Sequence, residues 1–473
     1  MIRKIEKTLV KWKESRFRKP LVLRGARQVG KTWLLKEFGR THFKHVAYFS
    51  FDREDAPRMA FETKNPKRIV EELELIAGHK FIPGETLLVL DEIQEFPPAL
   101  GALKYFCEDM PELHVAAAGS LLGTILAKPM SYPVGKVNLV DVRPMDFAEF
   151  LEASDAEAFR IFNWIKPGET IDATFHLKLL DAYHRYLLVG GMPECVDAWC
   201  RNRDLQEVER IQDELLAFYE GDFGKHLDGT DATRVLLTFR SVIPQLAKQN
   251  EKFLYGAIKE GARAREFETA VEWCVQAGLF NRLYNVAKAE CPHKAFERLD
   301  CYKIFLFDTG LARRMARVPT VALLSKSDYQ FKGPFVENYV LQQLSVFMDV
   351  PPHYFSVKDS HEIDFILQVD DKTVPVEVKG GEAVKSPSLK SYVKKHKPDL
   401  ALRLSEKNFH REGPLMSVPL YFVPRLKELF TMKLEFAVKT IKLPLAVYAP
   451  CGITVCYWLQ CYCRHGGAVH LRY

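Results

Sequence analysis

The spacing of apolar residues divides the chain into stretches of different period. Over residues 1–19, Ile2, Ile5, Leu9, Val10 and Trp12 fall roughly on one helical face with Lys and Arg elsewhere, which predicts an amphipathic helix. PLVLRG then reads as a short buried strand ending in a turn, followed by VGKTWLLKEFGR with helical spacing at Trp33, Leu34, Leu35 and Phe38. HVAYFSFD (45–52), TLLVLDEI (86–93), HVAAAGS (114–120) and KVNLVDVRP (136–144) predict further strands. TLLVLDEI is apolar almost throughout, as a strand is when helices cover both faces of a parallel sheet. Strands alternating with helical stretches predict an α/β, parallel-sheet domain over residues 1–145.

Beyond it the period changes. Residues 146–245 read as helical, interrupted by the turn-rich VGGMPE (189–194). Within 246–325, Phe253 to Val286 has the order helix, turn, helix, strand, and resembles a winged helix. Its second helix carries Phe267, Ala270, Val271, Cys274 and Ala277 on one face and stops at Gly278. Residues 326–432 return to mixed α/β, with alternating strands in HEIDFILQV and TVPVEVKG. The stretch 433–473 differs: it holds Cys451, Cys456, Cys461 and Cys463 within an apolar run broken by Pro444, Pro450 and Gly452. Those breaks speak against a membrane helix, and the Cys and His residues lack a zinc spacing, so an appendage is expected.

Composition narrows the class. With 473 residues, 47% hydrophobic and 27% charged, the chain is that of a folded protein of two or three domains. A net charge of +6 permits a polyanionic partner without requiring one. Six cysteines scattered between Cys107 and Cys301 form no CxxC pair, and the charged N-terminus has no apolar run for a signal peptide. A cytoplasmic protein with no membrane partner is expected.

Candidate chemistry lies first in Gly25-Ala26-Arg27-Gln28-Val29-Gly30-Lys31-Thr32, which satisfies GxxxxGK[ST] between a strand and a helix. The glycines let backbone N–H groups wrap around phosphates, and the helix N-terminus adds its positive end. Lys31 is placed to reach the β- and γ-phosphates of ATP, and the Thr32 hydroxyl to ligate Mg²⁺. Leu87-Leu-Val-Leu-Asp91-Glu92 is an apolar strand ending in two acids. Asp91 would hold Mg²⁺ through water, and Glu92 would orient or deprotonate the attacking water. Ser120, after the fourth strand, is either a γ-phosphate sensor or a small turn residue.

These segments, with VRPMDFAEFL, YLLVGGMPECV, GARAREFETAVEWCVQAGL and FLFDTGLA, resemble a prokaryotic family of AAA-type ATPases with a C-terminal domain of unknown function. The resemblance spans residues 1–430 and implies ATP hydrolysis; in that family Arg27 and Gln28 belong to the P-loop signature. Such ATPases usually complete their sites with a neighbour's arginine, which implies oligomerisation. Here Gly135-Lys136 stands where similar proteins often have Gly-Arg, and Lys lacks the planar fork of Arg.

A second constellation lies in the C-terminal part. Glu337 falls in the helical GPFVENYVLQQL, Asp364 in HEIDFIL, and Glu377 and Lys379 two apart on one face of VPVEVKG. An acid, an Asp and Glu-x-Lys on neighbouring elements is the layout of a metal-dependent phosphodiesterase, or else a solvated, charged strand face. In the first reading Asp364 and Glu377 hold Mg²⁺ or Mn²⁺, and Lys379 neutralises charge on the phosphate. The order of elements resembles the PD-(D/E)XK nuclease superfamily, whose members often lose activity. From Lys385 to Arg411 there are eight Lys or Arg and two acids, and Lys259, Arg263 and Arg265 lie in the winged-helix-like segment. DNA or RNA is therefore a candidate partner. Gly190-Gly191-Met192-Pro193 reads as a helix-linking turn, and Asp308 in FDTG as a structural turn rather than a protease loop.

The sequence thus predicts an α/β protein with an N-terminal P-loop parallel sheet flanked by helices, a helical and winged-helix middle, and a nuclease-like C-terminal domain. Two functions fit it. One is an ATPase coupling Mg²⁺-dependent ATP hydrolysis to nucleic-acid binding or processing. The other is an ATP-gated regulatory or scaffold protein whose nuclease-like domain is catalytically inactive.

Overall fold

A computed structural model describes residues 2–120, 122, 135–247, 252–324, 332–356, 362–380 and 386–431, and the backbone of two strands, Pro444–Tyr448 and Thr454–Trp458. Residues 1–424 form one compact unit and 425–473 another. The latter holds an antiparallel hairpin of the two strands just named; Cys451, Cys461 and Cys463 lie outside the described residues.

The N-terminal sheet has the strands β1 (Leu21–Arg24), β2 (His45–Ser50), β3 (Thr86–Asp91), β4 (His114–Ala118) and β5 (Asn138–Asp141). All its pairings are parallel, in the order β2-β3-β4-β1-β5. Every residue of β3 and β4 is buried, as their apolar runs require. One face is filled by Ile69, Leu73, Leu103 and Phe106 from two covering helices, Pro66–Ala77 and Pro97–Asp109. The P-loop helix, Lys31–His42, buries Leu34, Leu35 and Phe38 and leaves Trp33 largely exposed. The N-terminal helix, Glu6–Glu14, buries Leu9 and Trp12, whereas Ile2 precedes it and is exposed, so the apolar face expected there is shorter.

Helices Phe147–Ser154, Ala156–Trp164, Ala173–Val189, Pro193–Asn202, Leu205–His226 and Gly229–Ala247 follow. Helix Ala264–Gln276 buries Phe267, Ala270, Val271 and Cys274, the face its spacing predicts. Strands β6 (Phe280–Val286) and β7 (Glu297–Leu306) then pair as a hairpin. β6 also pairs with β8 (His353–Phe355), which joins β9 (Ile363–Val369), β10 (Lys372–Val378), β11 (Ala401–Ser405), β12 (His410–Glu412) and β13 (Leu415–Pro419). The winged-helix-like segment and the C-terminal part therefore share one mixed sheet, β12-β13-β11-β10-β9-β8-β6-β7.

A buried polar network ties the middle of the chain to this sheet. Asp308 caps helix Thr309–Met315 by accepting from Leu311 N–H (3.0 Å), and also accepts from Gly191 N–H (2.7 Å). Gly191 in turn accepts from Met145 N–H (2.7 Å), and Gln342 donates to Asp308 (3.3 Å). The glycine pair of VGGMPE and the Asp of FDTG are thus two halves of one structural joint. Burial pushes the Asp308 carboxyl above its ordinary range, which suits an acceptor with no solvent contact.

Candidate functional site

In a parallel sheet the loops after the C-terminal strand ends gather along one edge. Because β3, β4 and β1 are neighbours, Asp91-Glu92, Ser120 and the P-loop come together there. The loop's shape demands glycine at two places. Gly25 has φ +144°, and a Cβ on it would lie 2.1 Å from Val142 O; Gly30 has φ +93° at the helix entrance. Gln28 is held at φ 59°, a left-handed conformation uncommon for a side-chain-bearing residue.

Lys31 is buried, and its ammonium donates to Gly25 O (3.0 Å) and Ala26 O (2.7 Å), folded back along the loop. Burial pushes it down to about 8, against the opposing pull of Glu92 and Asp91. Thr32 Oγ1 donates to Asp91 Oδ2 (2.7 Å), and Tyr48 OH donates to the same oxygen (2.7 Å). Asp91 Oδ1 accepts from Glu92 N–H (3.1 Å). A hydroxyl and a carboxylate brought to hydrogen-bond distance are hard oxygen donors, a set that fits Mg²⁺. Glu92 sits at φ 48°, and Gln94 donates to its Oε2 (2.5 Å), which fixes that carboxylate beyond the strand end. Ser120 is buried and accepts from Arg27 Nε (3.1 Å).

Three partners of this site carry no local signature. Asp222 accepts from Arg27 Nη1 (2.6 Å), and Tyr219 OH donates to Arg27 O (2.7 Å), both from helix Leu205–His226. Arg3 donates to Val29 O (3.1 Å) and pairs with Glu149 (3.2 Å). All three depend on contacts between residues 26 to 195 positions apart, which no spacing rule anticipates. Lys136 pairs with Glu108 (2.9 Å) and precedes β5, which puts it at the opposite edge of the parallel sheet from the P-loop.

Glu337, Asp364, Glu377 and Lys379 line one cavity of about 370 Å³, together with Lys303 and Glu362. Glu337 comes from helix Lys332–Phe347, Asp364 from β9, and Glu377 from β10, with Lys379 just beyond it. Asp364 Oδ2 accepts from Val378 N–H (2.7 Å), Lys379 donates to Glu377 Oε1 (2.7 Å), and Lys303 pairs with Glu362. Glu377 Oε2 is buried without a hydrogen-bond partner. Burial, reinforced by the charges of Glu337 and Glu377, pushes Asp364 well above the ordinary carboxylate range, and burial pushes Glu337 up as well. Among the described residues no three His, Cys, Asp or Glu side chains are grouped so as to hold a metal ion. The acids therefore share a cavity without forming a ready-made coordination sphere. Neither Glu362 nor Lys303 is among the residues expected from sequence; Glu362 stands two before Asp364, a spacing that could have marked it, whereas Lys303 comes from β7 and has no such mark.

Of the basic residues proposed for nucleic acid, Lys259, Arg263 and Arg265 are exposed, whereas Arg403 is buried and donates to Ser417 (2.5 Å). The run from Lys385 to Arg411 is therefore not one charged face, and Lys385 itself lies outside the described residues. Among the described residues no helix is long and apolar enough to cross a membrane.

In sequence, residues 17–151 match the model of an AAA domain, and 180–322 and 332–422 match two models described only as domains of unknown function. No curated protein matches the chain. Among solved structures, the Aeropyrum pernix Orc1 protein in complex with DNA is 15% identical, over 68% of this chain and 92% of that one, with a TM-score of 0.25. AMPPCP-bound DnaA from Aquifex aeolicus is 14% identical over 56% and 84%, TM-score 0.27. The Thermotoga maritima RuvB Holliday junction branch migration motor is 14% identical over 59% and 88%, TM-score 0.27. Scores of this size carry no argument about function, and the match at 17–151 is what makes the N-terminal part an AAA-type P-loop domain.

Proposed function

We propose that the chain is a Mg²⁺-dependent ATPase that couples ATP hydrolysis to the binding or processing of a nucleic acid. The observation that carries the first half is the Thr32–Asp91 hydrogen bond beside Lys31 at the edge where β1, β3 and β4 end. Thr32 and Asp91 are the residues that would hold Mg²⁺, which when bound neutralises charge on the β- and γ-phosphates. Backbone N–H groups of Gly25 to Thr32 receive the phosphates, Lys31 turns from the loop carbonyls toward them, and Glu92 takes or orients the water's proton. Lys31→Ala abolishes turnover in this reading, and unchanged turnover in that variant refutes it.

The second half rests on the C-terminal cavity, where Lys379 and Lys303 supply charge for a phosphodiester and Asp364 and Glu377 are the candidate metal ligands. One observation favours the alternative, an ATP-gated scaffold whose nuclease-like domain only binds. The acids already have partners: Asp364 on Val378 N–H, Glu377 on Lys379 and Glu362 on Lys303. Incubation of the purified chain with DNA or RNA and Mg²⁺ or Mn²⁺, with and without ATP, separates the two. Cleavage lost in Asp364→Asn supports processing, whereas binding without any nicking supports the scaffold.

A further inference from the structure

Arg27 is the third residue of the P-loop, so its backbone belongs to the phosphate cradle while its side chain makes contacts of its own beyond the loop. That side chain is mostly covered, with 20% of its surface exposed, and it extends from the loop toward Ser120 at the end of β4. Nε reaches Ser120 at the end of β4, Nη1 reaches Asp222, and the guanidinium lies 5.5 Å from the ring centre of Phe218. The carbonyl of the same residue is pinned by Tyr219 OH. Arg27 is also among the groups that depress the Lys31 ammonium, so the two cations lie within electrostatic reach of each other. Two cations held near one another at a partly buried loop favour an anion between them. Asp222 supplies the countercharge to one of them, from a helix outside the sheet.

The other cations considered for this role, Lys136, Arg24, Arg143 and Arg3, hold partners other than Ser120. Lys136, at the sequence position where an arginine is usual, is at the far edge of the sheet. Arg24 pairs with Asp141, and Arg143 donates to Asn281 (3.1 Å). Arg3 is committed to Glu149, Val29 O and Arg143 O.

We propose that Arg27 is the arginine that neutralises the γ-phosphoryl group in its own chain's site, exchanging Asp222 for the phosphate when ATP binds. This rests on the P-loop domain hydrolysing ATP. In the step, the water oxygen forms its bond to the γ-phosphorus as the bond from that phosphorus to the β,γ-bridging oxygen breaks. ADP and inorganic phosphate result, and the water's proton passes to the Glu92 carboxylate. Arg27 donates N–H groups to the γ-oxygens as their charge spreads, the role an arginine finger fills when a neighbour supplies it. A fork fixed in cis makes turnover independent of assembly.

The test uses the full chain and reads three quantities: affinity for a fluorescent ATP analogue, single-turnover hydrolysis, and capture of ADP with aluminium fluoride, which mimics the transferring phosphoryl group. Arg27→Ala is expected to bind the ATP analogue within a few-fold of the parent and to lose about 1000-fold in turnover, the usual worth of such an arginine. It also loses ADP–aluminium fluoride capture, and free guanidinium ion at non-denaturing concentration restores part of it. Arg27→Lys keeps a cation for Asp222 and so guards against misfolding; it too is expected to fail in capture, for want of the planar fork. Capture at the parental level in either variant overturns the proposal. So does recovery of turnover when Arg27→Ala chains are mixed with Lys31→Ala chains, which means the arginine acts in trans. If the parent itself hydrolyses no ATP, the underlying reading fails, and capture by the parent but not by Arg27→Ala still assigns the residue.

Discussion

The P-loop site and the C-terminal cavity are both clusters of charge on the rim of a sheet, yet they are prepared for ligands in opposite ways. At the P-loop the cations have nothing stronger than backbone carbonyls and one carboxylate to hold them. Lys31 rests on Gly25 O and Ala26 O, and Asp91 already touches Thr32. An arriving phosphate displaces the carbonyl contacts of Lys31 and competes with a single carboxylate, Asp222, for Arg27. In the cavity Asp364, Glu377 and Glu362 each have a donor, and one oxygen, Glu377 Oε2, is left buried and unsatisfied among the described residues. A cation arriving there must displace Lys379 or recruit that oxygen. Preorganisation thus separates a site whose function follows from its form from one whose function depends on what the ligand rearranges.

The largest expected effect breaks the first site and leaves the second alone. Lys31→Ala should lower turnover by about 1000-fold or more, since it removes the cation that follows charge onto the γ-phosphate. Asp364→Asn should leave ATP affinity and basal turnover within twofold. Parallel losses in both variants would show that the two sites are not separable as described.

Next in size is the cost of unpairing the cavity. Lys303 and Glu362 are mostly buried, with 15% and 24% of their side chains exposed. Lys303→Met removes the cation and strands Glu362 among Glu337 and Asp364, which should cost about 3 kcal/mol of unfolding free energy. Chemical denaturation reads this directly. A loss below about 1 kcal/mol would mean that the acids are solvated well enough to need no lysine.

A smaller effect tests the state of Lys31. Its ammonium is pushed down to about 8 when no nucleotide is bound, by burial. Phosphate stabilises the charged form, so bound ATP raises that value. Above pH 8 binding must therefore take up a proton, and the ATP dissociation constant should rise about tenfold per pH unit, or 1.4 kcal/mol. Below pH 7 it should be flat in this respect. A pH-independent constant from 7 to 9.5, by titration calorimetry in two buffers, would rule the account out.

The unequal preparation of the two sites explains what could be read from the sequence. Strand β3 and the P-loop helix were legible because continuous apolar runs and a glycine-led turn are local signals. Asp91, Glu92 and Thr32 follow from them by adjacency. For Glu337, Asp364, Glu377 and Lys379 the spacing left a solvated charged face open, and only the resemblance in the order of elements suggested grouping residues that the structure places around one cavity. What was not legible came from elsewhere in the chain. Asp222 reaches Arg27 across 195 positions, and Lys303 enters the cavity from β7, part of a segment that read as a separate winged-helix module. The pairing of β6 with β8, which merges that segment into the C-terminal sheet, rests on one short register of two residue pairs with no sequence mark. Arg403 shows the opposite failure: a residue counted in a basic run is buried inside the sheet.

The smallest effect has the least expected sign. Asp364 is held well above the ordinary carboxylate range, by burial first and then by Glu337 and Glu377, so the folded chain takes up its proton more readily than the unfolded chain does. For such a group the folded state binds more protons between the two values, and stability falls as pH rises through that interval. Asp364→Asn removes the penalty while Oδ1 of the amide can still accept from Val378 N–H, as the carboxylate does. The variant should therefore be more stable than the parent at neutral pH, by about 1 kcal/mol, the gain typical of relieving a strained functional position. Its stability should also fall less steeply as pH rises from the acid side toward neutrality. Thermal melts of parent and variant from pH 4 to 8 measure both. The same substitution at the P-loop, Asp91→Asn, should bring no such gain, because Asp91 already receives Thr32, Tyr48 and its neighbour's N–H. A destabilised Asp364→Asn would mean that the cavity's acids are held by their lysines more strongly than they repel each other.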